Sequence, residues 1–175
     1  DDMRRILGAD YIADVEYSKY DGDTETAEDD LNLYSELRDE LFHLEEQRLA
    51  IQTDFLRERP TDFYFTVISV TDRCQHYFWK FQDPNHAGYT EEGAKLYGEV
   101  IKDSYRLADK FVGEARAIIG DEVPIALVSD HGFGPQYHDF HINTWLEQQG
   151  YLVRKQVPYL KWGKLHLGGV LHRLG

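Results

Sequence analysis

Apolar side chains at Leu37, Leu41, Leu44, Ile51 and Phe55 recur at helical spacing through residues 29–57, and Pro60 closes the segment. Thr26-Ala27-Glu28-Asp29 reads as the start signal of that helix. The pattern changes at residues 63–70, a continuous run of aromatic, apolar and β-branched side chains without alternation. Such a run predicts a strand covered on both faces. A short helix is expected over 72–81, closed by Asp83-Pro84-Asn85. A long one follows over 91–119, with Leu96, Val100, Leu107, Phe111 and Ile118 on one stripe and Gly120 as its stop. A second apolar strand is expected over 123–129, then a helix over 141–149 stopped by Gly150. Tyr151-Leu152-Val153 opens a further strand. Residues 1–28 carry no clear period, and no internal repeat is present.

Strand, crossover helix and strand imply a parallel pair with a right-handed connection. The expected fold class is therefore α/β, a mostly parallel sheet flanked by helices. Two acids leave the carboxyl ends of the two strands, Asp72 and Asp130, and that edge of an open α/β sheet is where ligands bind.

Composition narrows the partners. With 42% hydrophobic and 29% charged residues, the 175-residue chain can bury a core of ordinary domain size. A formal charge of -13 argues against a surface that tracks nucleic-acid backbone, yet leaves room for a small phosphorylated substrate beside bound cations. The bases are eight lysines and eleven arginines. So acidic and lysine-poor a surface suits either a protein kept soluble in high salt or an acidic cytosolic one. Cytoplasmic location is the expectation. Cys74 is the single cysteine, which excludes an internal disulfide. No apolar stretch reaches the roughly 18 residues of a membrane span.

The candidate chemistry lies in two motifs. In Asp72-x-x-x-His76, helical spacing puts both side chains on one face, within reach of one ion. The bland alternative is a helix cap beside a solvated histidine. In Asp130-His131-Gly132, both side chains can meet one ion only if the chain turns sharply, which Gly132 permits and Gly134-Pro135 stiffens. The alternative is a turn in which Asp130 bonds neighbouring amides. Taken together the motifs favour a cation, because two converging carboxylates repel and one would otherwise have to stay protonated. Oxygen and imidazole nitrogen suit a borderline ion such as zinc. His138 and His141 could supplement the site. His86 and His43 read as solvated residues. Cys74 and His76, two apart on a helix, point away from each other, so Cys74 reads as a packed residue and not a nucleophile. Tyr77, Phe78, Trp79 and Phe81 read as packing.

The stretches Val70-Thr71-Asp72-Arg73-Cys74-Gln75-His76-Tyr77-Phe78-Trp79 and Val128-Ser129-Asp130-His131-Gly132-Phe133-Gly134-Pro135 resemble the alkaline phosphatase superfamily. The closer similarity is to its type I phosphodiesterase/nucleotide pyrophosphatase branch, in particular the predicted phosphohydrolase/phosphomutase group. It continues through Asn143-Thr144-Trp145-Leu146 and Gly150-Tyr151-Leu152, covering about residues 30–155 of what we expect to be one partial domain spanning 1–175. The resemblance implies two divalent metal ions, usually zinc with manganese as an alternative, and a Thr or Ser nucleophile. It implies that Asp72 and His76 hold one ion and that Asp130 and His131 hold the other. The implied activity is hydrolysis of phosphodiesters or nucleotide pyrophosphates. Phosphomutase, sulfate-ester or phosphonate chemistry could use the same ligands, and a non-catalytic acidic interaction module is the rival class. No segment here matches the family's nucleophile strand, its first aspartate or its C-terminal histidine. We therefore expect an internal fragment with the nucleophile upstream, inactive and marginally stable when made alone. Thr71, adjoining Asp72, is the first residue to test should the fragment turn over substrate.

Overall fold

The structure, a computed structural model, describes residues 2–7, 14–17, 20, 27–136 and 140–153. It divides into two units, Asp1–Pro135 and Gln136–Gly175. The first holds α1 (Asp2–Leu7), α2 (Ala27–Glu58), α3 (Val70–Gln82), α4 (Glu91–Tyr97) and α5 (Val100–Ile119); the second holds α6 (Ile142–Gln148).

The core forms where α2, α3, α4 and α5 meet. The row Leu37, Leu41 and Leu44 of α2 is buried against Val70, Cys74, Phe78 and Phe81 of α3, with Tyr97, Val100 and Ile101 completing the cluster. Phe78 is wholly excluded from solvent. Its ring takes the edge of Tyr34 at 5.7 Å and 75°, and Phe81 meets Tyr34 at 5.0 Å and 84°, both edge-to-face. Such pairs add about 0.5–1.5 kcal/mol beyond the area they bury. Tyr97 joins the cluster and donates its hydroxyl to the Leu31 carbonyl at 2.5 Å.

Helix ends follow their local chemistry. Asp83 caps α3, and its carboxylate accepts the Asn85 amide at 3.0 Å in the turn that Pro84 initiates. Gly120 ends α5 with φ 82°, a left-handed conformation that favours glycine. The single helix expected over 91–119 is two. Gly98 separates α4 from α5, and a Cβ there would lie 2.5 Å from the Ala94 carbonyl oxygen. The break rotates the remaining stripe, so Leu96 is exposed whereas Val100 and Phe111 are buried.

The expected α/β class is overturned: the described residues contain helices and no strand. Residues 63–69 form no regular element, and Tyr64 donates its hydroxyl to the Gln52 carbonyl of α2 at 3.2 Å. Tyr64, Thr66, Ile68 and Ser69 are partly covered, whereas Phe63 and Phe65 are each 78% exposed, so the run is not covered on two faces. Over 123–129 the exposure is greater still, with Leu127 at 74% and Val128 at 91%. A strand exists through its ladder, and a lone pair of strands is marginal in water. These two segments form no ladder with each other, and the flanking helices bury against one another instead. The expected strand at 151–153 is likewise irregular, with Tyr151 and Val153 exposed. In the second unit, α6 starts after His141, which makes no side-chain cap bond, and Gly150 has φ 77°. His138 lies outside the described residues.

This arrangement sets opposite outcomes for two phenylalanines. Phe78→Ala should cost about 3–5 kcal/mol in urea unfolding because it empties the centre of the core. Phe65→Ser should stay within about 0.5 kcal/mol, as a surface substitution does. A large loss from Phe65→Ser would show that residues 63–69 are buried in solution.

Candidate metal centre

Helix α3 is two-faced. At about 100° per residue, Asp72 and His76 fall opposite Cys74 and Phe78, so the packing that buries one pair presents the other outward. His76 Nε2 lies 3.6 Å from Asp72 Oδ1. The turn after residue 129 brings a third side chain to the same oxygen: His131 Nε2 is 3.8 Å from Asp72 Oδ1 and 3.7 Å from Asp130 Oδ2. The two motifs therefore meet without the sheet expected to unite them. Asp72 Oδ1 is itself enclosed and has no hydrogen-bond partner, although the rest of its side chain is partly exposed. An enclosed carboxylate oxygen left unbonded is costly unless positive charge approaches it.

Local bonds shape the turn. Ser129 donates its hydroxyl to the His131 carbonyl at 2.6 Å. His131 Nδ1 is 2.9 Å from the Gly132 carbonyl oxygen. A carbonyl can only accept, so Nδ1 carries the proton there, and in the neutral ring the Nε2 lone pair faces Asp72. The Gly132 bond raises the His131 pKa above the ordinary imidazole value, and the charges of Asp130 and Asp72 raise it further. Phe133 then folds back over α3. It meets His76 edge-on at 4.8 Å and 87° and stacks near Trp79 at 5.7 Å and 30°, fixing the plane of the His76 ring.

Among the described residues, no three His, Cys, Asp or Glu side chains form a group that could hold a metal ion. What is present is two ligand pairs joined through Asp72. Asp130 is the most exposed of the four and Asp72 the least. His141 belongs to the second unit and His86 sits in the loop after α3, where its Nδ1 accepts the Gly88 amide at 3.0 Å. Cys74 is fully buried, and burial pushes its thiol up to about 12, against a hydrogen bond from Ser104. A thiol so protonated is no nucleophile at neutral pH, as its helical position relative to His76 implies.

Two features near the site carry signals in the sequence that its motifs do not capture. Arg73, next to Asp72, is engaged by the Asp14 carboxylate and by the Tyr17 hydroxyl at 2.5 Å, so its charge is committed to the loop at 14–17. Arg73 is also the main cause of the low pKa of Asp14. Glu45 is the second. It interrupts the i, i+4 row Leu37, Leu41, Glu45, Leu49, and a charge on a buried row is a legible anomaly.

Comparison with protein families gives a match to the family described as type I phosphodiesterase / nucleotide pyrophosphatase, over residues 7–173. The chain belongs to this family. It is thereby a member of the alkaline phosphatase superfamily, as the Asp-x-x-x-His and Asp-His-Gly motifs suggest. No curated protein matches the chain, and no solved structure does. No described helix of this family member is long and apolar enough to cross a membrane.

The geometry around His131 predicts its titration. Its ring should titrate above about 6.5 by proton NMR in the metal-free protein. Asp130→Asn should move the midpoint down, because a neutral amide no longer favours the imidazolium. An unchanged midpoint in that variant would remove Asp130 from the electrostatics of this site.

Proposed function

We propose that the protein hydrolyses phosphodiesters or nucleotide pyrophosphates with two divalent metal ions, held in part by Asp72, His76, Asp130 and His131. Membership of the family supports the reaction class. The observation that supports the residue assignment is the spacing within each pair, 3.6 Å from Asp72 Oδ1 to His76 Nε2 and 3.7 Å from Asp130 Oδ2 to His131 Nε2, with Asp72 Oδ1 left unbonded. Nitrogen and oxygen ligands at about 2.0–2.2 Å in a tetrahedron lie roughly 3.4 Å apart, so a small inward shift would suffice.

In this reading Asp72 and His76 contribute to one ion and Asp130 and His131 to the other, with zinc the best match to the donors and manganese an alternative. Divalent ions there would polarise phosphoryl oxygens, neutralise developing charge and acidify a bound hydroxyl. The chain's own residues contribute orientation. Gly132 holds the His131 tautomer through Nδ1, Phe133 holds the His76 ring, and Asp72 lies between the two imidazoles. The reading assigns four ligands and no nucleophile. A small phosphorylated substrate is the partner it implies, despite the formal charge of -13, because the ions would invert the field locally.

Two measurements test it. The full-length protein should turn over bis-p-nitrophenyl phosphate faster than the monoester, with zinc or manganese required. Failure on both substrates with either metal would sink the hydrolase assignment. In calorimetric zinc titration, Asp72→Ala and His131→Ala should weaken binding by more than the roughly 10- to 100-fold typical of outer-shell changes. Heats equal to wild type would strip these residues of a metal role.

A further inference from the structure

Ser69 stands at the N-cap of α3 without making a side-chain cap bond to the helix. Its polar groups turn the other way, toward α2. The Ser69 amide donates to Glu45 Oε1 at 3.4 Å, and its hydroxyl donates to Glu45 Oε2 at 3.1 Å. Arg48 closes the arrangement, donating from Nη1 to the Ser69 hydroxyl oxygen at 2.8 Å and lying 3.8 Å from Glu45 Oε2. Glu45 is only 1% exposed. One turn further on, the Arg73 amide donates to the Ser69 carbonyl at 3.1 Å, so the residue gripped by Glu45 also anchors the first turn of α3. That turn contains Asp72.

We propose that Glu45 is a positioning residue that acts through Ser69 to fix the first turn of α3 and hence the direction of the Asp72 carboxylate. The inference rests on the reading of Asp72 as a metal ligand, and extends the site to a side chain on another helix. The negative carboxylate at the start of α3 also complements the helix dipole.

Stability alone does not account for a carboxylate at this position. The groups facing it are Arg48 on its own helix and Ser69, Arg73 and Cys74 on the segment and helix opposite. Burial raises the Glu45 pKa, and the Ser69 and Arg48 contacts only oppose that rise. A carboxyl whose pKa is raised on folding contributes stability below its unfolded value. The contribution is lost as pH rises through the folded value. A leucine here would continue the row of Leu41 and Leu49 without that desolvation. The charge is useful for what it holds.

Glu45→Gln keeps the shape and removes the charge. It should leave the thermal midpoint at pH 7.5 unchanged or higher. It should speed hydrogen exchange of the Arg73 amide roughly tenfold, the equivalent of one weakened hydrogen bond. Zinc affinity should fall about 10-fold or more, as for loss of an outer-shell partner. Ser69→Ala, which removes the gripped hydroxyl, should weaken zinc in the same direction. Leu49→Ala, on the same row, should lower the thermal midpoint while leaving zinc affinity at the wild-type value. Wild-type zinc affinity in Glu45→Gln would overturn the positioning role while leaving the metal reading intact. So would equal weakening by Leu49→Ala, because the effect would then be general. A wild type that takes up no zinc would instead remove the metal reading itself, and the positioning role with it.

Discussion

The burial of one face of α3 is the constraint on which the rest of the structure depends. Val70, Cys74, Phe78 and Phe81 are all buried, and the helices around them pack onto that face. Because the helical repeat fixes side-chain direction, burying Phe78 determines that Asp72 and His76 face away from the core. The aromatic cluster of Tyr34, Phe78, Phe81 and Tyr97 resists rotation of the helix through shape, since the edge-to-face contacts of Tyr34 with Phe78 and Phe81 tolerate little change in angle. Placement of the candidate site is thus a consequence of apolar packing on the far side of the helix that carries it.

The other half of the site arrives differently. Asp130 and His131 sit on an exposed turn, held by short-range bonds of Ser129 and His131 to the backbone and by the fold of Phe133 onto His76 and Trp79. Little apolar burial supports this arm, so it belongs to the low-stability end of the molecule, where functional segments are commonly drawn. Its charges are also well solvated, which weakens each pairwise attraction. A bound cation would therefore do more to fix this arm than the aspartate–histidine contacts do alone.

Glu45 shows the opposite balance. It is buried within an otherwise apolar row and bonded on both oxygens, yet its folded pKa is raised. Burial of the carboxylate raises that pKa, and its contacts with a serine and an arginine oppose the rise. Deep polar contacts of this kind set geometry, whereas Leu37, Leu41 and Leu44 supply the adhesion around them.

The sequence by itself determined where α2, α3 and α6 lie and where α5 ends, because those signals are local, whereas it showed neither α1 nor the break between α4 and α5. The α2 stripe, the stop at Gly120 and the turn at Pro84 depend on side-chain period and backbone preference within a few residues, and each is where the pattern puts it. The family was equally legible, since it is carried by residue identity. The strands were not. An apolar, β-branched run shows that a segment can enter a sheet, but a ladder needs a partner at the right distance, and that is a property of the whole chain. Tertiary structure likewise decided that Asp72 lies between two histidines, that Gly98 divides one helix into two, and that Glu45 reaches Ser69 across 24 residues. Contacts of that separation depend on how helices pack, and no local period encodes them.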